Sequence, residues 1–589
     1  MNHTYPVFTA DAECQDCFKC VRQCPVKAIQ VKGAHASVMP ELCIACGGCV
    51  QVCPVHAKKV RDDLGRVRVL LKEGLGPVYV SLAPSWVNEF RGLPASKMIA
   101  ALRQLGFAGV SETALGAQIV TEKTAELLKE QKRGLMISSA CPVAVDFILK
   151  YFPKLSCTIS PVLSPVLSHA RFLKEQLGEK IKVVFIGPCI AKKNESDRHP
   201  DLLSMALLFS RLRQWFKEAG IDPYAMDPGP DDVFVPYASK EGALYPIEGG
   251  MNETIRMYRE CSHVNFVSIG GIGALRQAFD GLDPGRIFEP VFLETLACTG
   301  GCVHGPGTEH NSPGLLERLR VLRNVKGDGK PTPMNGPEIA AEYQATPVDQ
   351  RPASLNDIRE ALSSVGKSRL EDEINCGGCG YFTCHNFAQA LIDGKAEPSM
   401  CVSYLRKLAQ KKSNAILRCL PAAAVIVDRS LTVIECNKRF ADFTGEQGKE
   451  LYEFLPGLWG AKLEKLIPFA HLFRQVLDTG IEYQYNTLKV DGRLLDINIF
   501  NIDPKQVVGA IIFDVTKAEL RREEIAERAQ EVIEKNLSTV QEIACKLGEH
   551  MAETEILLRS IAEKYSDHDA RRNLAQEVER AEDDDWATE

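Results

Sequence analysis

The sequence predicts a multidomain α/β protein, and three patterns along the chain support that prediction. Two compact four-cysteine runs lie within residues 14–54. Between residues 78 and 362, short apolar runs alternate with amphipathic stretches, which is the pattern of buried strands and packed helices. After residue 413, further strand-like runs precede a charged helical tail. A chain of 589 residues has room for about three to five domains.

The composition excludes several classes of protein. Hydrophobic residues make up 45% of the chain and charged residues 25%, and the net charge of −7 predicts no basic surface for nucleic acid or an anionic membrane. The longest apolar stretch, residues 134–148, contains Asp146 and a proline, so we expect no membrane span. The first residues lack a secretion signal, and the odd count of 21 cysteines argues against a disulfide framework. We therefore expect a cytoplasmic protein in a reducing compartment.

The two N-terminal cysteine runs share one spacing, C-x2-C-x2-C-x3-C-P. Three closely spaced thiolates can bind one four-iron cubane, and in two-cluster bacterial ferredoxins the fourth cysteine of each run ligates the other cluster. We therefore assign cluster one to Cys14, Cys17, Cys20 and Cys53, and cluster two to Cys43, Cys46, Cys49 and Cys24. Zinc is the alternative metal, but its usual paired spacing differs from this one.

Further cysteines follow strand-like runs in the central region. The runs VYVSLAP, GLMISSACP, KVVFIGPC and HVNFVSIGG are predicted strands, and their surroundings contain Cys141, Cys189, Cys298 and Cys302. Ligands bind where strands end in open α/β sheets, and four thiolates are enough for another cubane. Free cysteines are also common as small buried core residues. The spacing alone does not choose between these two interpretations.

The segments SSACP, GPCIAKKNE and LETLACTGGCVHGPG resemble the three signature segments of the iron-only ([FeFe]) hydrogenases, in the same order and at similar separations. The resemblance covers roughly residues 78–307, and the N-terminal cysteine runs also fit it. It implies an α/β domain that reacts with H2 at an H-cluster. In that cofactor a [4Fe-4S] cubane is joined through one cysteine to a two-iron unit carrying CO, cyanide and a bridging amine dithiolate.

The resemblance also implies roles for individual residues. The cubane ligands would be Cys141, Cys189, Cys298 and Cys302, with Cys302 as the bridge to the two-iron unit. Lys192 matches the family lysine that hydrogen-bonds a cyanide, and Glu195 matches the glutamate that follows it. The alternative for these two residues is an ordinary surface Lys–Glu pair.

The departures from the family pattern affect the proton path. Catalytic members have two adjacent cysteines in the first segment, and the first relays protons; here that position is Ala140, which cannot hold a proton. His304 is a new titratable group, which could relay protons or be a satisfied loop histidine. Ser160 and Ser164 are alternative matches for a proton-path serine. The other departures are Ala144 for a tryptophan, Gly187 and Leu296 for methionines, Pro306 for a glycine and Thr308 for a glutamine.

A fourth cysteine set follows a segment rich in proline and glycine. Its order, C-x2-C-x4-C-x16-C, resembles a small [4Fe-4S] domain of several redox proteins, with zinc as the alternative. The ligands would be Cys376, Cys379, Cys384 and Cys401. The chain would thus carry three accessory [4Fe-4S] clusters and the H-cluster. We expect the remaining cysteines to be buried structural thiols, namely Cys157, Cys261, Cys419, Cys436 and Cys545.

The C-terminal part resembles a PAS domain over about residues 416–517. Residues 420–446 predict strand, tight turn, strand and helix, and RLLDINIFNID and VVGAIIFDVTKAEL predict later strands. His471 could in principle ligate haem, but a lone histidine is a weak argument. Beyond this region, apolar residues from Ile533 to Ile561 recur in steps of four and three, which predicts a coiled coil or a helix packed on its own domain.

The leading hypothesis is a sensory [FeFe]-hydrogenase that binds or slowly turns over H2 and signals its redox state through the PAS domain to a partner regulator. The alternatives are a working hydrogenase with a docking PAS domain and a non-catalytic iron–sulfur scaffold. We expect a homodimer with a redox partner or a downstream kinase, phosphatase or regulator. The expected domains are a two-cluster ferredoxin domain (1–62), the hydrogenase-like domain (63–362), a small 4Fe-4S domain (363–412), the PAS domain (413–517) and a helical tail (518–589).

Overall fold

The computed structural model describes residues 5–10, 14–33, 35–74, 76–309, 312–325, 330–349, 351–516, 529–537 and 561–562. The chain divides into two compact units, the first ending at Cys401 and the second beginning at Val402. None of the described helices is both long enough and apolar enough to span a membrane.

The N-terminal module consists of two short antiparallel sheets and two one-turn helices, each helix holding the third cysteine of a run. One sheet pairs the first and last strands, and the other pairs the two middle strands. Both helices are preceded by a residue with positive φ, Phe18 in one case and Gly47 in the other. The elements are β1 (Val7–Thr9), α1 (Lys19–Gln23), β2 (Ile29–Lys32), β3 (His35–Val38), α2 (Gly48–Val52) and β4 (Lys58–Val60).

The central region alternates strands and helices, as the sequence predicts. Its elements are α3 (Leu64–Lys72), β5 (Val78–Leu82), α4 (Trp86–Glu89), α5 (Ala95–Gln104), β6 (Gly109–Glu112), α6 (Thr113–Glu130), β7 (Gly134–Ile137), α7 (Pro142–Tyr151), α8 (Pro165–Leu177), β8 (Lys182–Gly187), α9 (Lys192–Arg198), β9 (Met205–Leu208), α10 (Phe209–Glu218), α11 (Gly250–Arg256), β10 (Asn265–Gly270), α12 (Ile272–Phe279), β11 (Pro290–Leu296) and α13 (Gly314–Asn324).

These strands form two separate parallel sheets. The four-stranded sheet has the order β6-β5-β8-β9, and the three-stranded sheet has the order β10-β11-β7. Parallel strands covered by helices are buried on both faces, which explains the continuous apolar runs in the sequence. One hydrophobic core joins β5 and β8 to α5, α6 and α8.

The first unit ends with a small region around α14 (Leu355–Ser364) and α15 (Cys384–Ile392). A capping box begins α14, where Ser354 accepts from the Asp357 amide and Asp357 accepts from the Ser354 amide. The Thr383 side chain caps α15 by accepting from the Asn386 amide, so Cys384 lies in the first turn of that helix.

The second unit is a five-stranded antiparallel sheet with helices. Its elements are α16 (Val402–Cys419), β12 (Ala423–Asp428), β13 (Val433–Cys436), α17 (Lys438–Phe443), α18 (Glu446–Phe454), α19 (Ala470–Thr479), β14 (Tyr483–Val490), β15 (Arg493–Asp503) and β16 (Val507–Asp514). The strand order is β13-β12-β16-β15-β14. Phe440 and Phe473, from two of the helices, are fully buried in the core of this sheet.

The predicted strand–turn–strand–helix segment is present in this unit. A tight turn after β12 is held by Asp428, whose carboxylate accepts from the amides of Ser430 and Thr432. In the tail, residues 529–537 and 561–562 are helical. The rest of the predicted coiled-coil seam lies outside the described residues, as does Cys545.

A buried ionic network anchors the start of the central domain to the four-stranded sheet. Lys193 Nζ lies 2.7 Å from Asp63 Oδ2, and each side chain is only 1% exposed. Arg61 also contacts Asp63, and Lys193 donates to the Ala206 carbonyl. Burial alone would raise the pKa of Asp63, but Lys193 and Arg61 outweigh it and hold that pKa below its usual value.

We expect Asp63→Asn to lower the free energy of unfolding of the first unit by about 3–5 kcal/mol, because Lys193 would remain buried without its counter-charge. Chemical denaturation of the full chain measures this loss. Because the pKa is lowered, the stabilisation is complete above the ordinary aspartate pKa of about 3.9 and disappears as the pH falls further.

The matched control is Lys123→Met, which breaks the exposed Lys123–Glu126 pair at 3.0 Å. We expect it to change stability by no more than about 1 kcal/mol. Equal effects of the two substitutions would contradict the anchoring role of Asp63.

Candidate functional site

Three strands from two sheets end around one cavity. Cys141 follows β7, Cys189 follows β8, and Cys298 with Cys302 follows β11. All four cysteines line this cavity. Because β7 and β11 belong to one sheet and β8 to the other, the cysteine segments approach the cavity from two directions. The structure thus brings together side chains that are up to 161 residues apart in the chain.

Burial and mutual repulsion disfavour the ionised form of these thiols. Burial raises the pKa of Cys189 to about 11, with a further contribution from Cys141. The pKa values of Cys298 and Cys302 are also raised, first by burial and then by the other cysteines of the set. A bound metal removes this penalty because its positive charge keeps coordinating thiolates deprotonated.

Backbone amides and one lysine favour the thiolate form at the same place. Cys141 is the N-cap of α7; burial raises the pKa of its thiol, and the backbone of Ala144 and Val143 in the first turn opposes that rise. The amides of Ala191 and Lys192, at the start of α9, do the same for Cys189. Partial positive charge at a helix N-terminus stabilises an anion.

Lys192 lines the cavity, and its charge lowers the pKa of Cys141, Cys189 and Cys302. Its Nζ lies 2.5 Å from Glu195 Oε2 and donates to Ser164 Oγ at 3.2 Å. Lys192 is 8% exposed and Glu195 is 7% exposed, so the pair is buried. The geometry therefore does not fit the alternative of an ordinary surface ion pair.

The cavity is much larger than a packing defect. Its volume is about 100 Å³, whereas one water needs roughly 10–15 Å³ on the same measure. Ser85, in the turn after β5, lines it, and Ser85 Oγ is buried without a hydrogen-bond partner among the described residues. An orphaned hydroxyl beside four cysteines and a lysine suits a polar, metal-containing group. Sequence reasoning missed Ser85, although its position after a predicted strand was a usable signal.

Among the described residues, no three His, Cys, Asp or Glu side chains converge closely enough to hold a single metal ion. Four thiolates bound to a single zinc would each lie about 2.3 Å from it. A cubane instead distributes its thiolates over separate irons, so its ligands surround a space. The cavity between these cysteines provides such a space.

The departures from the family pattern lie on or near the cavity wall. Ala140 and Leu296 line the cavity. A Cβ placed on Gly187 would lie 2.3 Å from Cζ of Phe185, so this phenyl ring occupies the space that a longer side chain at 187 would need. Phe185 itself lines the cavity. The Ala140 methyl group presents no titratable atom where the family has a thiol.

Glu294 is a second residue that sequence reasoning missed. It lies on β11, lines the cavity and is 2% exposed. Burial, with a smaller contribution from Glu248, raises the pKa of Glu294 to about 7, while the Met251 amide donates to its Oε1 at 3.1 Å. A carboxyl with this pKa exchanges protons near neutral pH. The sequence signal that could have identified Glu294 is a carboxylate within an otherwise apolar strand.

The other candidate proton-path residues have structural partners or are buried. His304 Nδ1 pairs with the Thr299 carbonyl at 2.9 Å, and Nε2 lies 2.9 Å from Glu317 Oε2. These contacts favour the interpretation of His304 as a loop histidine whose two ring nitrogens both have partners. Ser164 accepts from Lys192, whereas Ser160 is fully buried.

His471, the candidate haem ligand, is exposed.

The cysteines of the two N-terminal runs influence one another electrostatically. Burial is the leading cause of the raised pKa values of Cys46 and Cys49, and the charge of Cys24 from the first run raises both further, as does that of Cys20 for Cys49. Burial also raises the pKa of Cys20, with smaller contributions from Cys14 and Cys17. Backbone amides also donate to two of the sulfurs, Ala28 to Cys24 Sγ at 3.2 Å and Ala45 to Cys43 Sγ at 3.3 Å.

The second run lies directly against the central cavity. A Cβ on Gly47 would lie 2.6 Å from Pro306 and 2.7 Å from Ile190, and Gly47 has a φ of +79°, so only glycine fits there. The charge of Cys46 contributes to the raised pKa of Cys298. This close approach places the second run beside the four-cysteine site.

The fourth cysteine set forms its own group in the same unit. Burial raises the pKa of Cys379, and the charges of Cys401 and Cys376 raise it further. Among the remaining cysteines, Cys261 and Cys436 are buried as expected, but Cys157 and Cys419 are exposed. The expectation of burial was therefore wrong for these two. Cys157 lies in a short 3-10 helix, Pro153–Thr158, and Cys419 is the last residue of α16, a helix without a buried residue.

Three family models match separate parts of the chain. Residues 76–306 match the iron only hydrogenase large subunit, C-terminal domain. Residues 6–54 match a 4Fe-4S dicluster domain, and residues 372–403 match an Fe-S cluster family.

Relatives with curated descriptions match about half of this chain. The periplasmic [Fe] hydrogenase large subunit of Nitratidesulfovibrio vulgaris is 28% identical over 369 residues, covering 52% of this chain and 87% of that protein. Iron hydrogenase 1 of Clostridium pasteurianum is 26% identical over 318 residues, and the match covers 45% of this chain and only 55% of that protein. A solved variant of [FeFe]-hydrogenase HydA1 from Chlamydomonas reinhardtii superposes with a TM-score of 0.39 and 18% identity, over 49% of this chain and 100% of that one. The family matches and the curated relatives support an [FeFe]-hydrogenase-like iron–sulfur protein, in which the residues that match the iron only hydrogenase large subunit domain follow those that match a 4Fe-4S dicluster domain.

Proposed function

We propose that the protein binds H2 at an H-cluster held in the central cavity, turns it over slowly, and reports the resulting redox state to a partner protein. The observation that carries this proposal is the cavity that Cys141, Cys189, Cys298 and Cys302 share with Lys192. When bound, the H-cluster would supply the open iron at which H2 is split into protons and electrons.

The residues around the cavity have distinct proposed tasks. Cys141, Cys189, Cys298 and Cys302 hold the cubane, and Cys302 also joins it to the two-iron unit. Lys192 donates to an anionic ligand of that unit, and Glu195 and Ser164 fix the direction of its ammonium group. Ser85 Oγ, in the turn after the neighbouring strand β5, offers a further donor.

The low activity that we propose follows from the residue at position 140 of the cavity wall, which is an alanine. A general acid–base group typically contributes a factor of about 10² to 10⁴, and Ala140 has none. Glu294 is the carboxyl on the cavity wall that can hold a proton near neutral pH. We propose that it exchanges protons with the site less efficiently than a thiol at 140 would.

Electrons would leave through the accessory clusters. Cys14, Cys17, Cys20 and Cys53 hold cluster one, and Cys43, Cys46, Cys49 and Cys24 hold cluster two. The fourth set, Cys376, Cys379, Cys384 and Cys401, holds the third accessory cluster. Cluster two would be the first acceptor, because its Cys46 loop packs beside the Cys298 segment.

The signalling part of the proposal rests on the second unit. An antiparallel five-stranded sheet with helices packed on it is compatible with a PAS domain over 413–517. The tail beyond it would form the coiled coil of a homodimer in the cytoplasm and contact a kinase, phosphatase or regulator. The alternatives are a working hydrogenase with a docking PAS domain and a non-catalytic scaffold, and the buried Lys192–Glu195 pair at the cavity favours the presence of the full cofactor over the scaffold.

Infrared spectroscopy of the anaerobically matured chain tests the cofactor. We expect bands of iron-bound CO and cyanide, and iron analysis should give about 18 irons per chain for four cubanes and a two-iron unit. Cys302→Ser should abolish the infrared bands while the accessory clusters remain. A matured wild-type chain with its cubanes but without these bands would exclude the H2 site and leave the scaffold.

Ala140→Cys tests the missing proton relay. We expect it to raise H2 oxidation with an artificial acceptor by up to roughly 10² to 10⁴-fold, since a thiol would again face the cavity. Ala140→Ser is the matched control, because its hydroxyl has similar size but does not ionise near neutral pH. If wild-type turnover already equalled that of Ala140→Cys at the same cofactor content, a working hydrogenase would be the better description.

Glu294→Gln tests the remaining proton route. Because the pKa of Glu294 is about 7, its protonated form predominates below that pH, and H2 evolution by the wild type should decline as the pH rises through 7. The glutamine variant should lack this decline and be slower at low pH. Glu248→Gln removes a neighbouring negative charge, which should lower the Glu294 pKa and move the decline to lower pH. An unchanged pH profile in both variants would exclude Glu294.

A further inference from the structure

The fourth cysteine set docks on the N-terminal module rather than on the domain that precedes it in sequence. The loop at residues 378–380 lies against α1, where Arg22 donates to the Gly378 carbonyl at 3.2 Å. Gly380 has a φ of +94°, and a Cβ there would lie 2.8 Å from Val21. The close approach therefore requires glycine at this position.

A second row of hydrogen bonds extends this contact along β2. The Val31 amide donates to the Lys395 carbonyl at 2.9 Å, and the Gln30 side chain donates to the Gly394 carbonyl at 2.7 Å. The Gly33 amide donates to Glu397 at 2.5 Å. Backbone contacts of this kind fix the position of the small region relative to the dicluster domain.

Lys27 lies in the middle of this contact. Its ammonium donates to the carbonyls of Val21 at 2.9 Å and Arg22 at 3.2 Å on one side. On the other side it donates to the Gly380 carbonyl at 2.9 Å, and it lies 4.9 Å from the ring centre of Phe382. Burial lowers the pKa of Lys27, while the three carbonyl acceptors and the aromatic ring favour the charged form of this half-buried side chain.

Lys27 and Tyr381 each interact electrostatically with one cysteine of the N-terminal runs and one cysteine of the fourth set. The charges of Cys24 and Cys379 both act on Lys27, and both also act on the buried Tyr381. Cys24 is the proposed fourth ligand of cluster two. One positive charge and one aromatic ring therefore lie between the ligands of cluster two and those of the fourth set.

We propose that electrons pass directly between cluster two and the cluster of the fourth set across the contact that residues 378–380 make with α1 and Lys27, and that the positive charge of Lys27 raises the reduction potential of both. This inference rests on the proposed function for the presence of the clusters. In the step, reduced cluster two loses one electron and the oxidised fourth cluster gains it, without proton transfer. A nearby cation stabilises the reduced form because reduction adds negative charge.

Cluster two is then a branch point. Its Cys46 loop contacts the Cys298 segment, and its Cys24 contacts the Lys27 junction. The fourth cluster, which immediately precedes the second unit in the chain, would receive electrons without passing through cluster one. Cluster one would remain available for an external redox partner.

Potentiometric EPR titration of the full chain tests the proposal with Lys27→Met. We expect cluster two and the fourth cluster to become harder to reduce. At a fixed potential, the ratio of reduced to oxidised cluster should fall by roughly tenfold or more, which corresponds to a midpoint shift of ~59 mV for one electron. Cluster one should keep its midpoint. Lys32→Met is the matched control, since it removes the same charge from an exposed position on β2 of the same module.

Three results would overturn the proposal. They are unchanged midpoints in Lys27→Met, equal shifts in Lys27→Met and Lys32→Met, or a shift of cluster one as large as that of cluster two. A second measurement needs no substitution at Lys27, which matters if that variant loses a cluster. In the fully reduced wild type, the EPR signals of cluster two and the fourth cluster should broaden each other through spin–spin interaction, and unbroadened signals would exclude the direct contact.

Iron analysis separates this proposal from the proposed function. The double substitution Cys376→Ser and Cys379→Ser should remove about four irons and the EPR signal of the fourth cluster. If no iron is lost, the fourth set holds no cluster, and the cofactor assignment in the proposed function fails. If iron is lost but the midpoints do not respond to Lys27→Met, the electron-transfer proposal fails while the cofactor assignment in the proposed function stands.

Discussion

The structure depends on one constraint, which is that the carboxyl ends of strands from two separate parallel sheets meet around a single cavity. β7 and β11 deliver Cys141, Cys298 and Cys302 from one sheet, and β8 delivers Cys189 from the other. Neither sheet alone presents four thiols to one point. The cavity therefore forms only when both sheets are packed together, and the hydrophobic core that joins β5 and β8 to α5, α6 and α8 supports one of its two sides.

Gathering four thiols in a buried cavity is electrostatically unfavourable, and the surrounding residues offset that cost. Burial raises the pKa of each cysteine in the set, and mutual repulsion adds to the shifts of Cys189, Cys298 and Cys302. Two helix N-termini and the ammonium of Lys192 oppose this effect. Such a site favours a positively charged metal group, because the group removes the repulsion while the amides and the lysine remain as donors. The same wall carries Ala140, whose methyl group has no titratable proton.

Two contacts of the N-terminal module with the rest of the first unit are close approaches at glycines. At one contact Gly47 lets the second cysteine run approach Ile190 and Pro306, and at the other Gly380 lets the fourth set approach Val21. Electron transfer weakens steeply with distance, so close approaches at glycines are a direct way to connect neighbouring clusters. The order of cysteine sets in the sequence does not give this connectivity, because the last set packs on the first module.

The sequence by itself determined the cysteine spacings, the alternation of strands and helices in the central domain, and the resemblance to the [FeFe]-hydrogenases. These features are local or repeat at short range, so they can be read from neighbouring residues. Only the tertiary structure decided that Cys141, Cys189, Cys298 and Cys302 share a cavity, that Ser85 and Glu294 line it, and that Lys27 lies between two cysteine sets. It also showed that Cys157 and Cys419 are exposed. Burial, raised pKa values and contacts between distant segments arise from packing, and no local pattern of residues specifies which segments will pack together.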